Sequence, residues 1–199
     1  MTLRAVIAHC WTGTPDAGWY PQAARTLATA GIVPQVPALP DTNDPRLEAW
    51  LATLSVAIGT ADDSLLLVGH SLGAVALLHW LARADPGTRV GGLLLVAPPI
   101  AATGIAAVDR FLEPPPDLVT AAQRARRRDA IVSVADPYLR PDPLQLSQRL
   151  RDELRAQVHL VPDRGHFSPA SGQTPLPELQ AWAHSFLPTP PLPGTEPWT

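Results

Sequence analysis

The sequence predicts a three-layer α/β/α sandwich built on a mostly parallel sheet of about six strands. Short apolar segments of strand length alternate along the chain with longer segments of helical period. The strand segments are apolar on both faces, as strands are when helices cover both sides of a sheet. The chain has 199 residues, 46% of them apolar, and its composition does not shift before about residue 185. One domain over residues 1–187 is therefore expected.

The expected strands are short and most are bounded by proline or glycine. In chain order they span residues 3–8, 32–36, 65–68, 90–97, 130–134 and 157–161. The expected helices span residues 19–30, 45–58, the stretch after residue 73, 117–128, 141–155 and 175–187. Gly31 suits the end of the first helix, and Pro45 suits the first position of the second. The proline-rich residues 188–199 are expected to form an extended or disordered tail.

Composition and charge exclude several function classes. The formal net charge is only -3, which gives no footprint for nucleic acid or an anionic membrane surface. The chain has no lysine, so a Schiff-base mechanism is excluded. The single cysteine, Cys10, cannot form an internal disulfide, and neither a signal-peptide pattern nor an apolar run of transmembrane length is present. A cytoplasmic protein is the resulting expectation.

Residues 65–85 carry the clearest chemical motif. The apolar strand 65–68 breaks at Gly-His-Ser-Leu-Gly, and the apolar pattern restarts with helical spacing. A Gly-x-Ser-x-Gly pentapeptide in this setting predicts a nucleophile elbow, a sharp turn that exposes the Ser71 hydroxyl in a strained backbone conformation. Gly69 and Gly73 suit that turn, because a Cβ at either position would push the strand and the helix apart.

A base and an acid for Ser71 are predicted at His166 and Asp136. A serine hydroxyl needs a base to take its proton, and the base needs an acid to orient and stabilise it. In enzymes with this elbow the chain order is Ser, then Asp or Glu, then His. The three residues meet that order, and Asp136 and His166 each follow a predicted strand at the same edge of the sheet as the elbow.

Other histidines and acids fit these roles less well. His159 falls within a predicted strand and His79 within a predicted helix, where packed or surface roles are expected. His184 lies on the last helix, and the side chain of His70 is expected to point away from Ser71. Asp129 precedes the predicted fifth strand and Asp142 lies at a helix start, whereas Asp163, three residues before His166, remains an alternative orienting acid.

The oxyanion hole is predicted from two backbone amides. One is that of Leu72, directly after the nucleophile, and the other comes from the loop after the first strand. In that loop the amide of Trp11 is the first choice and that of Cys10 the second. No cofactor is expected and no metal site is predicted, because no Cys-x-x-Cys or His-x-x-x-His spacing occurs. Cys10 is a weaker candidate nucleophile than Ser71, since nothing local marks a thiol of lowered pKa.

The chain resembles the small single-domain α/β-hydrolase-fold serine hydrolases of the retinoblastoma-binding protein nine and YdeN type. The resemblance rests on four segments: the His9 loop with Trp-Tyr-Pro at 19–21, the elbow 69–73, Ser-Val-Ala-Asp-Pro-Tyr at 133–138 with Pro141, and Gly-His-Phe at 165–167. It implies a minimal α/β-hydrolase fold without a large cap domain, and the same catalytic set of Ser71, Asp136 and His166.

The predicted function is a serine esterase that acts on a small-molecule acyl substrate. Carboxylic esters, thioesters and activated amides are the expected substrates, with an acyltransferase or a low-activity binding protein on the same fold as alternatives. Only about twenty residues, 98–117, occupy the usual position of a lid, so a fairly open site is expected. Either an acyl pocket or core packing is expected of five apolar residues there: Ile100, Ile105, Val108, Phe111 and Leu112. The arginine run at 124 and 126–128 is interpreted as a solvated helix end.

Overall fold

A six-stranded sheet with all neighbours parallel forms the centre of the computed structural model, which describes residues 2–140, 142–168 and 175–187. The strands are β1 (Arg4–Ala8), β2 (Val33–Gln35), β3 (Leu65–His70), β4 (Val90–Val96), β5 (Ala125–Ser133) and β6 (Gln157–Val161). Their order across the sheet is β2-β1-β3-β4-β5-β6, and each neighbouring pair is parallel. The predicted number of strands and the parallel arrangement are confirmed.

Helices cover the sheet on both faces. They are α1 (Tyr20–Thr29), α2 (Leu47–Ile58), α3 (Leu72–Arg83), α4 (Ala106–Asp109), α5 (Leu118–Arg124), α6 (Pro143–Asp152) and α7 (Pro177–His184), with a 3₁₀ turn at Arg110–Leu112. Every residue of β3 and β4 is buried, which confirms the sandwich architecture. Helix α3 packs between α2 and α5, and α1 contacts α7. As predicted, Gly31 follows α1 with a positive φ of 76°.

Several helix boundaries differ from the sequence-based expectation. Helix α6 spans Pro143–Asp152 instead of 141–155, and α7 spans Pro177–His184 instead of 175–187. Helix α2 begins at Leu47, with Arg46 in extended backbone before it, so Pro45 is not its first residue. Helix α5 ends at Arg124, and the next residues already belong to β5, because Ala125 pairs with Val90. The interpretation of residues 124–128 as a solvated helix end is wrong, because pairing with β4 overrides the local helical pattern.

Arg124 is buried, and although it is the last residue of α5, its side chain binds the end of α3. Its guanidinium donates to three carbonyls at the end of α3 and just after it: Leu81, Ala82 and Asp85. A guanidinium placed there neutralises the partial negative charge at a helix C-terminus and satisfies carbonyls that have no intrahelical partner. The positive charge therefore stabilises α3, the helix that begins at the elbow.

The sheet brings four chain segments to one edge. In the parallel register Ala8 of β1 lies beside Gly69 of β3, and Ser133 of β5 lies beside Val161 of β6. Parallel sheets bind ligands outside the carboxyl ends of their strands. The segments that follow β1, β3, β5 and β6 leave the sheet at that edge, and together with Gly69 within β3 they contain every predicted site residue. No helix in the described part of the chain is long and apolar enough to cross a membrane.

Candidate active site

The elbow has the geometry that its sequence predicts. Ser71 lies between β3 and α3 with φ 51° and ψ -120°, a region that residues with a side chain rarely occupy. A Cβ on Gly69 would lie 2.5 Å from Ala74 Cα, and one on Gly73 would lie 2.4 Å from the carbonyl oxygens of Ala8 and His9. All of these contacts are with backbone atoms, so both positions require glycine for helix α3 to approach the sheet this closely.

Ser71, His166 and Asp136 are connected by two hydrogen bonds. His166 Nδ1 lies 2.7 Å from Asp136 Oδ2, and His166 Nε2 lies 2.7 Å from Ser71 Oγ. A carboxylate only accepts, so Nδ1 carries the proton and the neutral imidazole offers its Nε2 lone pair to the serine hydroxyl. The arrangement leaves His166 able to take the proton of Ser71. The structure thus brings together the three side chains that the sequence analysis selected.

The loops that carry the acid and the histidine are tied to each other. Ser133, at the end of β5, accepts the Arg164 amide on its Oγ at 3.0 Å and the Asp136 amide on its carbonyl at 3.3 Å. The second oxygen of Asp136 accepts the Tyr138 amide at 2.9 Å, and the Tyr138 ring lies 5.0 Å from that of His166. Ser133 is fully buried and had no assigned role from sequence. It holds the acid loop and the base loop in one arrangement.

The competing acids and histidines serve other contacts. Asp163 is exposed, and His166 Nδ1 bonds with Asp136 instead. Asp142 caps α6 through the amides of residues 144 and 145, and His79 lies within α3 and donates to the carbonyl of residue 111. Asp129 lies inside β5, not before it as expected, and is buried against Arg127, His159 and Trp182. These placements leave Asp136 and His166 as the acid and histidine beside Ser71.

Of the four amides from Cys10 to Gly13, in the loop after β1, that of Trp11 is the one without a hydrogen-bond partner among the described residues. The amides on either side are occupied: that of Cys10 donates to Tyr20 Oη at 2.9 Å, and that of Thr12 donates to the Thr42 carbonyl at 3.0 Å. His9 fixes the same loop, since its Nε2 accepts the Leu39 amide and its Nδ1 donates to the Cys10 carbonyl. The second-choice donor, Cys10, is therefore already engaged.

The amide of Leu72 is the other predicted donor. It is the first residue of α3, where an amide has no partner within its own helix, and no other contact engages it among the residues that the structure describes. The positive end of the α3 dipole lies at the same point. Two backbone N–H groups, of Leu72 and Trp11, are thus available beside Ser71 to bind a developing negative charge.

Two residues that sequence reasoning did not assign also belong to the site. Tyr20 Oη lies 2.7 Å from His70 Nδ1, and His70 Nε2 lies 2.8 Å from the His166 carbonyl oxygen. The His70 ring is directed to these partners and not to Ser71, in keeping with the expectation for an elbow residue. Tyr20 could have been found from the Trp-Tyr-Pro segment at 19–21, which the resemblance already included. The long-range contact between Tyr20 and His70 has no local signal.

A cavity of about 360 Å³ opens beside Ser71. Its wall includes Trp11, Tyr138 and His166, together with Ile105 and Val108 from the segment after β4. Three other apolar residues of that segment are buried away from this cavity: Ile100, Phe111 and Leu112. Two of the five candidate acyl-pocket residues therefore line the cavity.

Three titratable side chains near the cavity, those of His9, Cys10 and His70, are held in their neutral forms by burial. Burial lowers the pKa of His9, and it lowers the pKa of His70 to about 3. Burial raises the pKa of the Cys10 thiol, which weakens Cys10 further as a nucleophile. Within residues 2–140, 142–168 and 175–187, no group of three or more His, Cys, Asp or Glu side chains could hold a metal ion.

Known proteins resemble this chain in sequence and in fold. A family model described as serine hydrolase matches residues 5–184. YdeN of Bacillus subtilis (strain 168) is 29% identical over 178 residues, which are 89% of this chain and 92% of that protein. The crystal structure of the ydeN gene product from B. subtilis matches with a TM-score of 0.85 and 28% identity, covering 92% of this chain and 98% of that one.

More distant structures share the fold. Est1E from Butyrivibrio proteoclasticus, solved with ferulic acid bound, matches with a TM-score of 0.63 at 13% identity, over 92% of this chain and 86% of its own. Likeness at this identity supports the architecture alone. The predicted compact α/β-hydrolase fold is confirmed by these matches and by the six-stranded parallel sheet.

Proposed function

The chain belongs to the serine hydrolase family, and from this premise we propose that it is a carboxylesterase-like hydrolase that works through an acyl-Ser71 intermediate. The substrates are carboxylic esters, thioesters or activated amides. The observation that carries the proposal is the pair of 2.7 Å hydrogen bonds from Asp136 to His166 and from His166 to Ser71. In the proposal Ser71 is the nucleophile, His166 the base and Asp136 the orienting acid, at the strand edge where parallel sheets of this kind bind ligands.

In the proposed reaction, His166 Nε2 takes the Ser71 proton as Oγ attacks the substrate carbonyl carbon. The carbonyl π pair moves to oxygen, and the amides of Leu72 and Trp11 bind this oxyanion. When the carbonyl re-forms, the bond to the leaving group breaks and His166 returns the proton to that group. Water then attacks the acyl-Ser71 ester by the same steps and releases the acid. Asp136 keeps the proton of His166 on Nδ1 and stabilises the imidazolium.

The cavity wall favours an uncharged acyl group. Apart from His166, none of the described residues that line it is an acid or a base of the Arg or Lys type. The undescribed residues 169–174, which follow Ser168 of the wall, carry no charged side chain in the sequence either. A charged acyl group would lose its hydration without gaining a counter-ion. Neutral acyl esters are therefore the proposed substrate class.

Covalent labelling tests the proposed nucleophile directly. A fluorophosphonate probe should label the wild-type chain with one equivalent, and the label should be lost in Ser71→Ala and in His166→Ala. Ser55→Ala, which changes an exposed serine on α2, should be labelled like the wild type. A wild-type chain that does not react, or a label that persists in Ser71→Ala, would overturn the proposal.

Turnover tests the substrate class. The wild type should hydrolyse p-nitrophenyl butyrate with a kcat/KM at least about tenfold above that for the anionic mono-p-nitrophenyl glutarate, because a charge buried without a partner is costly. When an alcohol or amine is added, most of the acyl group should still be released as the free acid. Transfer of most of the acyl group to the added compound would instead indicate an acyltransferase. Equal turnover of both esters would contradict the neutral-acyl assignment and leave the nucleophile assignment standing.

A further inference from the structure

We propose that Tyr20 and His70 form a positioning pair that fixes the oxyanion loop, residues 9–13, relative to the loop that carries His166. The inference rests on the proposed function, because it concerns how that reaction's groups are held. Neither side chain contacts the reacting atoms in the proposed mechanism. They act through the backbone of two segments that lie far apart in the chain.

The pair forms an unbroken series of three hydrogen bonds whose directions are fixed by the end groups. The Cys10 amide can only donate, and it donates to Tyr20 Oη at 2.9 Å. The His166 carbonyl can only accept, so the proton of the His70 ring is on Nε2, which donates to that carbonyl at 2.8 Å. His70 Nδ1 is then the acceptor for the Tyr20 hydroxyl at 2.7 Å. Tyr20 and His70 each accept one hydrogen bond and donate one, while the Cys10 amide only donates and the His166 carbonyl only accepts.

Burial keeps this series from rearranging. Tyr20 is 2% exposed and His70 is 1% exposed, and the Trp19 ring packs 5.5 Å from that of His70. The titratable groups that face His70 are Tyr20, His166 and, more distantly, His9. Burial first and the charge of His166 second lower the pKa of His70 to about 3, while burial raises the pKa of Tyr20. Both side chains therefore stay neutral when His166 gains its proton during the reaction.

The two ends of the series are the two places where the mechanism needs accurate geometry. At one end, the Cys10 amide is held one residue before the free amide of Trp11, the proposed oxyanion donor. At the other end, the hydrogen bond from His70 Nε2 to the His166 carbonyl fixes the backbone of His166. That carbonyl is close to the imidazole that must meet Ser71 Oγ. A displacement of about 1 Å at such groups costs roughly 100-fold in rate. Loss of the pair should thus lower the rate of the chemical step and leave substrate binding nearly unchanged.

Kinetics of matched variants test the proposal, with rates expressed per fluorophosphonate-titrated site so that misfolded molecules do not count. Tyr20→Phe keeps the ring and removes the hydroxyl, and should lower kcat for p-nitrophenyl butyrate by about 10- to 100-fold with KM changed less than about threefold. Trp80→Phe is the control, because it also removes one side-chain hydrogen bond, from Trp80 Nε1 to Ser55 Oγ, at a partly exposed position of α3 outside the series. It should retain kcat within about threefold.

Variants of His70 give a second, independent measurement. His70→Gln retains an N–H that can reach the His166 carbonyl, so it should keep more activity per titrated site than His70→Leu. The effects of Tyr20→Phe and His70→Leu should be strongly non-additive in the double variant, since either change breaks the same series. Wild-type kcat in Tyr20→Phe, additive losses, or equal losses in Trp80→Phe would overturn the positioning role. A wild-type chain without labelling or turnover would instead overturn the proposed function, and the positioning role with it.

Discussion

Each nitrogen of the His166 ring has one hydrogen-bond partner, and these two contacts define the site at the scale of single residues. Nδ1 donates to Asp136 and Nε2 faces the Ser71 hydroxyl, so the tautomer follows from the acid. The other oxygen of Asp136 accepts the Tyr138 amide, which leaves the carboxylate fixed on both sides. The acid therefore acts by holding the ring in one orientation and one protonation pattern.

Replacement of Asp136 by asparagine should separate the two candidate acids. The amide nitrogen of Asp136→Asn can donate to Nδ1, which would move the ring proton to Nε2 and remove the base. By comparison with the serine proteases in which such a change is known, kcat for p-nitrophenyl butyrate should fall by about 10³- to 10⁴-fold. Asp163→Asn is the matched control, because Asp163 is exposed and lies three residues from His166. Equal losses in the two variants would exclude Asp136 as the sole orienting acid.

Single residues also show how far the sequence can predict the site. Ser71, Asp136 and His166 could be placed together because each follows a strand of a parallel sheet, and the carboxyl ends of such strands meet at one edge. Tyr20 and His70 could not, because they are 50 residues apart and nothing in the spacing indicates that their side chains meet. Asp129 was misplaced for the same reason: its three partners come from its own strand, β6 and α7.

At the scale of elements, the closest approach in the site is that of α3 to the end of β1. The second residue of α3, Gly73, faces the carbonyls of Ala8 and His9, which are backbone atoms and cannot turn aside. This contact brings the start of α3, with the Leu72 amide, against the loop that supplies the Trp11 amide. The two proposed oxyanion donors are thus positioned by one helix-to-strand contact, which the elbow motif predicts through its glycine.

Gly73→Ala should therefore destabilise the chain even though alanine is the better helix former. Alanine gains about 1 kcal/mol over glycine in a helix interior, but the added Cβ would lie 2.4 Å from two carbonyl oxygens, and such overpacking costs about 1–3 kcal/mol or more. Urea unfolding should show a net loss of stability, and fluorophosphonate labelling should slow. Gly87→Ala is the control, since its Cβ would meet nothing within 4 Å. An unchanged urea midpoint in Gly73→Ala would contradict the close contact.

The boundary between α5 and β5 shows why element ends were the least predictable part of the fold. Residues 118–128 are rich in Ala and Arg, which favour a helix, yet the helix stops at Arg124. Beyond it, β5 pairs with β4 on one side and β6 on the other, and Trp182 of α7 donates to Asp129. Those contacts come from distant segments, so a local pattern could not reveal them.

For the whole molecule, the predicted architecture followed from alternation and burial, which are properties of long stretches. β3 and β4 are buried throughout and central in the sheet, and the strand order places the elbow between β1 and β4. The core that buries these strands also buries several polar side chains. His9, His70 and His79 are each 3% exposed or less, and burial lowers the pKa of all three.

Those buried histidines should make the whole chain less stable in mild acid. Below about pH 6.5 the unfolded chain binds protons at these positions that the folded chain does not, so the free energy of unfolding should fall as the pH falls. For His70, whose folded pKa is about 3, the loss is about 1.4 kcal/mol per pH unit between pH 6.5 and 4.5. Acids with a lowered pKa, such as Asp129, add to this loss of stability only below about their ordinary pKa of 3.8.

Urea unfolding at pH 7.5, 6.5, 5.5 and 4.5 measures this dependence. The wild type should hold its free energy of unfolding between pH 7.5 and 6.5 and lose it steadily below, because the stabilisation is complete only above the unfolded-state pKa. His70→Gln cannot titrate, so its curve should be flatter in the acid range by about 1.4 kcal/mol per pH unit, whatever its stability at pH 7.5. His184→Gln removes an exposed histidine and should keep the wild-type slope. A His70→Gln curve parallel to that of the wild type would show that His70 is not held neutral in the folded chain.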